Sequence, residues 1–153
     1  MKQKIRKFKK EIQDVFQKNP LELIARIGVF GTFLGHGIVA IGVNPKWIPL
    51  LTSVGFSVDQ AIFLMPIIGA MDIIIAVTTL IYPMRGILVW AVIWAFLTAL
   101  SRPISGEPFV DFVERAANWC LPLTLLLMSY QSQTTRSFLR LIKKTAPIKE
   151  RLS

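Results

Sequence analysis

Asp-Phe-Val-Glu-Arg-Ala-Ala-Asn-Trp-Cys fills positions 111–120 and runs directly into Leu-Pro-Leu-Thr-Leu-Leu-Leu-Met-Ser-Tyr at 121–130. The second decapeptide reads as a membrane span. The first carries two carboxylates, an arginine and an amide. At ~100° per residue, Glu114, Arg115 and Asn118 fall about −60°, +40° and −20° from Asp111, so all four share one helix face. A polar stripe that leads into an apolar span has to face protein or water rather than lipid. The rest of the chain is therefore expected to cover it.

Outward from that stretch, the same pattern recurs. Of the 153 residues, 53% are hydrophobic and the mean hydropathy is +0.53. The apolar residues lie in long runs, which points to a membrane protein. The net charge of +9 would suit nucleic acid, but its placement argues against that. Seven basic residues lie within 1–18 and six within 136–151, while the middle has few. Basic ends around an apolar middle fit a multi-pass protein with both termini in the cytoplasm and no nucleic-acid partner. A single cysteine, Cys120, allows no intramolecular disulfide, and a single histidine, His36, allows no multi-histidine metal site. No metal is expected.

The expected fold is all-α: an integral-membrane four-helix bundle flanked by amphipathic basic N- and C-terminal segments. Residues 1–20 place Ile5, Phe8, Ile12, Val15 and Phe16 at helical spacing among lysines, which suits a helix on anionic lipid. The apolar run after Pro20 is too long for a cleaved signal peptide. Spans are expected at about 21–43, 58–82, 86–101 and 110–130, with a basic cytoplasmic tail over 131–153. In the first, Gly28, Gly31, Gly35 and Gly42 make a seam for close helix approach. Thr32 and His36 lie beside it. Residues 44–58 are too broken for a span and read as an outer loop dipping into the headgroups. Pro66 should kink the second span, whose Gly69, Asp72 and Ala76 share a face. The turn at Tyr82–Gly86 carries one positive charge, consistent with the cytoplasmic side. On the third span Trp90, Trp94, Leu97 and Ser101 share a face.

Four spans with both ends inside set the depth of each polar group. His36 falls in the outer half of the first span and Asp72 near the bilayer midplane, where an ionised carboxylate costs at least ~2.5 kcal/mol on insertion scales. Asp111 to Asn118 covers about 10 Å of the outer half of the fourth. These depths overlap, which implies a polar pocket opening outward. Arg102 and Arg115 would face Glu107, Asp111, Glu114 and Asp72, two cations against four anions. Such a site can hold a quinone as cofactor: His36, Asp72 and Glu114 manage protons, Arg102 and Arg115 bind an anionic or carbonyl group, and Trp90 and Trp94 wall the ring. Glu107, Asp111 and Asn118 complete the candidate ligand-binding set. The same residues equally admit a proton-coupled transporter or binding protein without enzymatic activity, or a structural subunit of a membrane complex. In the bland reading the Asp111–Arg115 cluster is a salt-bridged helix start and the tryptophans are packing.

Arg26, Gly31 and the Leu-Gly-His-Gly of 34–37 resemble the first span of DoxX-like membrane proteins, and the Gly69 to Asp72 element with the Pro83 turn resembles their second. The resemblance covers about 24–130. The Arg102-Pro103 and Glu114–Trp119 elements depart from it and look like a subfamily pattern. It implies a four-helix bundle in the bacterial cytoplasmic membrane, tied in some relatives to thiosulfate:quinone oxidoreduction or to membrane oxidoreductase complexes. Partners on this reading are the bilayer, anionic lipids at the basic ends, and another membrane subunit or a second copy of the chain.

Overall fold

The computed structural model describes residues 20–145, with side chains over 20–130. Described residues are helical or in short connections, with no strand among them. In chain order the elements are α1 (Pro20–Ile41), a 3-10 turn (Pro45–Trp47), α2 (Ile48–Thr52), α3 (Val58–Ile81), α4 (Arg85–Ile104), α5 (Phe109–Glu114) and α6 (Ala116–Thr145). Three of these, α1, α3 and α4, are long and apolar enough to cross a membrane. Their 20 to 24 residues give about 30–36 Å of helix, the thickness of the hydrocarbon core. The apolar part of α6 is shorter, because basic and polar residues occupy its second half.

Small residues set the packing. On α1, Ala25, Val29, Phe33, Gly37 and Ala40 are buried, spaced by four or three residues. On α4, Leu88, Ala91, Ala95 and Ala99 repeat the pattern. Such stripes let helix backbones approach closely, which matters in lipid because association there rests on van der Waals contact rather than on hydrophobic burial. The most extensive pairing is α1 with α3, followed by α4 with α6, and α1 also runs along α6. By contrast α3 and α4 barely touch. Instead, α2 folds over one end of the gap between them and packs on both.

The closest approach is not at the expected glycine seam. Gly31 and Gly35 face open space, and Gly42 has only its own turn nearby. The crossing is made by Gly37 and Gly69: a Cβ on Gly69 would lie 2.5 Å from the Gly37 carbonyl oxygen, and one on Gly37 would lie 2.8 Å from that of Gly69. Of the seam, Gly28 alone is enclosed, against Leu121. Helical spacing finds a glycine stripe but does not say which face of α1 meets α3.

Two arginines tie the opposite end. Arg26 donates to Glu22 on its own helix and to the Leu80 and Ile81 carbonyls that end α3. These carbonyls lack helical partners, so a cation there satisfies them and opposes the helix dipole. Arg85 ties α4 to α6 within the body of α6, donating to the Ser129 carbonyl at 2.8 Å and lying 4.3 Å from the Tyr130 ring centre.

The fourth apolar segment is not one helix. It breaks at Arg115, whose backbone adopts φ −89° and ψ 9°. The Arg115 guanidinium takes the Asp111 carbonyl at 2.8 Å, the acceptor that its own backbone N–H would use in a continuous helix. That N–H turns to Phe112 instead. The single helix face drawn through Asp111, Glu114, Arg115 and Asn118 is therefore interrupted. The third apolar helix also extends past the expected 101, through Pro103 to Ile104, and Pro66 is accommodated within a continuous α3. α6 stays helical through 145, past the expected end of the span at 130. The expected surface helix over 1–20 lies outside the described residues except for Pro20. So do the side chains that would place the 131–153 tail on lipid.

Candidate functional site

The gap between α3 and α4 is a cavity of about 510 Å³. α1 supplies Thr32, Phe33, His36 and Ala40 to its wall. α3 supplies Leu64, Met65, Ile68 and Asp72, and α4 supplies a face from Trp94 to Ile104 that includes Arg102. Arg115 and Asn118 close the side against α6. Trp47, Leu50, Leu51, Val54 and Phe56 of the α2 region form its cover.

At its floor the Trp94 indole N–H donates to Asp72 Oδ1 at 2.9 Å, bridging α4 to α3. Asp72 is 5% exposed, and no ion pair among the described residues reaches it. The sequence brings these two together simply: Asp72 follows Gly69 by three positions on the buried face of α3, and Trp94 precedes Ala95 and Ala99 on α4. A buried carboxyl with an indole donor on one oxygen keeps hydrogen-bonding capacity on the other. Above the floor, His36 meets the edge of Trp47, ring centres 5.7 Å apart and planes at 79°. Arg102 lies about eight residues, or ~12 Å, along α4 from Trp94. Its Nη1 donates to Glu107 Oε2 at 2.8 Å, a pair that closes the short loop after α4. Trp119 packs edge-on to Phe96 at 5.6 Å, holding α6 to α4 beside the cavity.

The cavity thus gathers His36, Asp72, Trp94, Arg102, Arg115 and Asn118. It leaves out four of the expected residues. Trp90 is 46% exposed and stacks on Trp94 from outside, ring centres 6.1 Å apart, so only Trp94 can wall a ring within. The Glu114 side chain is 73% exposed and 3.7 Å from Arg115. Asp111 contributes only its carbonyl to Arg115, and Glu107 reaches the site only through Arg102. Glu114 ends α5 on the near side of the break at Arg115, and its side chain stays outside the cavity that Arg115 and Asn118 line. The walls differ from expectation as well: instead of a hydrophilic chamber, the cavity is mainly apolar, with a few polar groups at separate heights.

The cover has a helical signal in the sequence that its prolines mask. Residues 44–58 read as a broken loop because of Asn44, Pro45, Pro49 and Gly55. Yet Trp47, Leu50, Leu51 and Val54 stand at i, i+3, i+4 and i+7, the signature of one apolar helix face. Both prolines start helical turns, where their missing N–H costs nothing, and Asn44 caps the first by accepting from the Lys46 N–H.

No family model matches the chain, and no characterised protein or solved structure registers a match to it.

Proposed function

We propose that this protein is a four-span protein of the bacterial cytoplasmic membrane, with both termini cytoplasmic, that holds the head ring of a quinone-type molecule as part of quinone-linked redox chemistry. The observation that carries this reading is the Trp94–Asp72 hydrogen bond at the floor of a mainly apolar cavity. Small-molecule sites are mostly apolar, with a few polar groups that fix orientation. Here Trp94 offers a ring face, Asp72 a carboxyl for one ring oxygen, and His36 or Asn118 a polar group higher in the same space. Arg102 and Arg115 supply positive charge above them. The cavity's size suits a substituted ring with part of its tail.

In this reading α5 and α6 cross the membrane together as the fourth span. The packing of α6 along both α1 and α4 supports that arrangement. The basic ends and the Arg85 turn favour cytoplasmic placement of the termini, so the cavity belongs to the outer leaflet. The resemblance of the first two spans to DoxX-like proteins points the same way.

The test is extraction of the purified protein for bound quinone, followed by titration of decylubiquinone into the emptied protein in nanodiscs. The expected result is saturable binding that weakens about tenfold in Trp94→Phe, because loss of the indole donor releases the Asp72 carboxyl from its fixed position and shrinks the ring wall. Absence of both co-purified and added quinone would remove the reading.

A further inference from the structure

The rim of the cavity has the wrong polarity for an aqueous entrance. Of the residues that line it, the large exposed ones are Val54, Phe56, Leu97 and Ile104, all apolar and each more than 40% exposed. The charged members sit further in: the Arg102 and Arg115 side chains are only 14% and 25% exposed. A mouth open to water would put its charges outermost. This one puts apolar side chains outermost and its guanidinium groups inside.

The opening also has a frame. Below, the Asp72–Trp94 bond joins α3 to α4. Above, α2 packs on both helices. Between these bridges α3 and α4 make few contacts, and Leu64 and Ile68 of α3 and Leu97 and Thr98 of α4 all line the cavity. Thr98 is the exposed polar residue at this edge, and its hydroxyl proton is already given to the Ala95 carbonyl of its own helix. The flanking surfaces, with Phe63 and Ile67 on α3 and Ile93 on α4, are exposed and apolar, on helices of membrane-spanning length. Trp94 to Arg102 sets the height of the window at ~12 Å.

We infer that the cavity opens sideways into the lipid through the window between α3 and α4, and that its occupant is a membrane-dissolved molecule whose polar head enters by that window while its apolar tail stays among the lipid chains. The identity of the head as a quinone-type ring rests on the function proposed above; the window itself does not. No rearrangement of α2 is needed for entry, because the opening lies below it. A tail-less, water-dissolved analogue would have to cross an apolar rim to reach Asp72, and it gains nothing from the lipid phase.

The test uses the fluorescence of Trp94 in the full-length protein, reconstituted in bilayers, with Trp47, Trp90 and Trp119 changed to Phe. Chain-brominated phosphatidylcholine is the lipid-phase quencher and acrylamide the aqueous one. The expected result is quenching of Trp94 by brominated lipid and protection from acrylamide. Leu97→Ala deepens the lipid quenching, and Leu97→Phe or Ile68→Phe, from opposite sides of the window, reduces it toward the level of unbrominated lipid. If the triple variant does not fold, the same signal is the difference between the wild-type protein and Trp94→Phe. Quenching of Trp94 by acrylamide but not by brominated lipid would overturn the inference. So would lipid quenching that neither Leu97 nor Ile68 substitutions alter. Neither readout requires a bound quinone. A protein that fails to bind decylubiquinone but passes this test keeps its window and loses the function proposed above.

Discussion

The pairing of Asp72 with Trp94 shows how one contact shapes the consequences of single substitutions. Asn in place of Asp72 keeps an oxygen to accept the indole N–H, so Asp72→Asn is expected to change stability by less than ~1 kcal/mol. Asp72→Leu leaves the indole donor without its acceptor and should cost about 1–3 kcal/mol, less whatever is regained by removing a carboxyl from an apolar site. Unfolding of the two variants in mixed micelles by SDS titration orders them, and a destabilised Asp72→Asn beside an intact Asp72→Leu would contradict the geometry. Val43 is a second informative position. It takes φ +49° where α1 ends and the chain turns toward the cover, a conformation that costs an L-residue ~1–2 kcal/mol and is worst for β-branched side chains. Val43→Gly or Val43→Asn should therefore raise the unfolding free energy, by about 0.5–1 kcal/mol for glycine after its extra unfolded-state entropy is subtracted.

Among the helices, the contrast between two kinds of glycine gives the sharpest expectation. Gly69 meets backbone atoms of α1, which cannot swing aside, so Gly69→Ala should separate the helices and cost about 1–3 kcal/mol. Gly35 has open space at its Cβ position, so Gly35→Ala should be neutral or stabilise by about 0.5–1 kcal/mol through helix propensity. Thermal unfolding in detergent, followed by circular dichroism, separates the two. Both glycines stand in helices with similar small-residue spacing, and this is where sequence reading runs out. Periodicity gives each helix its set of faces but not the partner of each face. The apolar helices and the sharing of a buried face by Gly69, Asp72 and Ala76 follow from spacing alone. The break at Arg115 does not, since no proline or glycine marks it. It coincides with the Arg115 guanidinium taking the Asp111 carbonyl. The cover over the cavity lies between these cases: its apolar spacing was present, but prolines disguised it because a proline breaks a helix interior and starts a helix equally well.

For the molecule as a whole, two tightly packed helix pairs, α1 with α3 and α4 with α6, leave one seam loosely filled, and that seam is the cavity. The arginine ties at Arg26 and Arg85 hold the far ends of the pairs together, each within its own pair. Helix length and turn positions give the expected heights of His36, Asp72, Asp111, Glu114, Arg115 and Asn118, and four of these six line the cavity. The sequence could not rank Trp90 below Trp94, or Glu114 below Arg115, because that depends on how the helices are rotated about their axes. The proposed topology has its own check: reporter fusions at residues 1 and 153 should both act as cytoplasmic, while one placed between α4 and α5, at Gly106, should act as external. Opposite behaviour of the two terminal fusions would rule out an even number of crossings.

The proposed ring site is tested most directly by titrating decylubiquinone into nanodisc-embedded protein in which Trp94 is the sole tryptophan, beside the same protein carrying Asp72→Leu. Saturable quenching of Trp94 at low quinone-to-protein ratio, lost or shifted to higher concentration in Asp72→Leu, is the predicted result. Quenching that rises linearly with quinone in the bilayer and is the same in both proteins would contradict it.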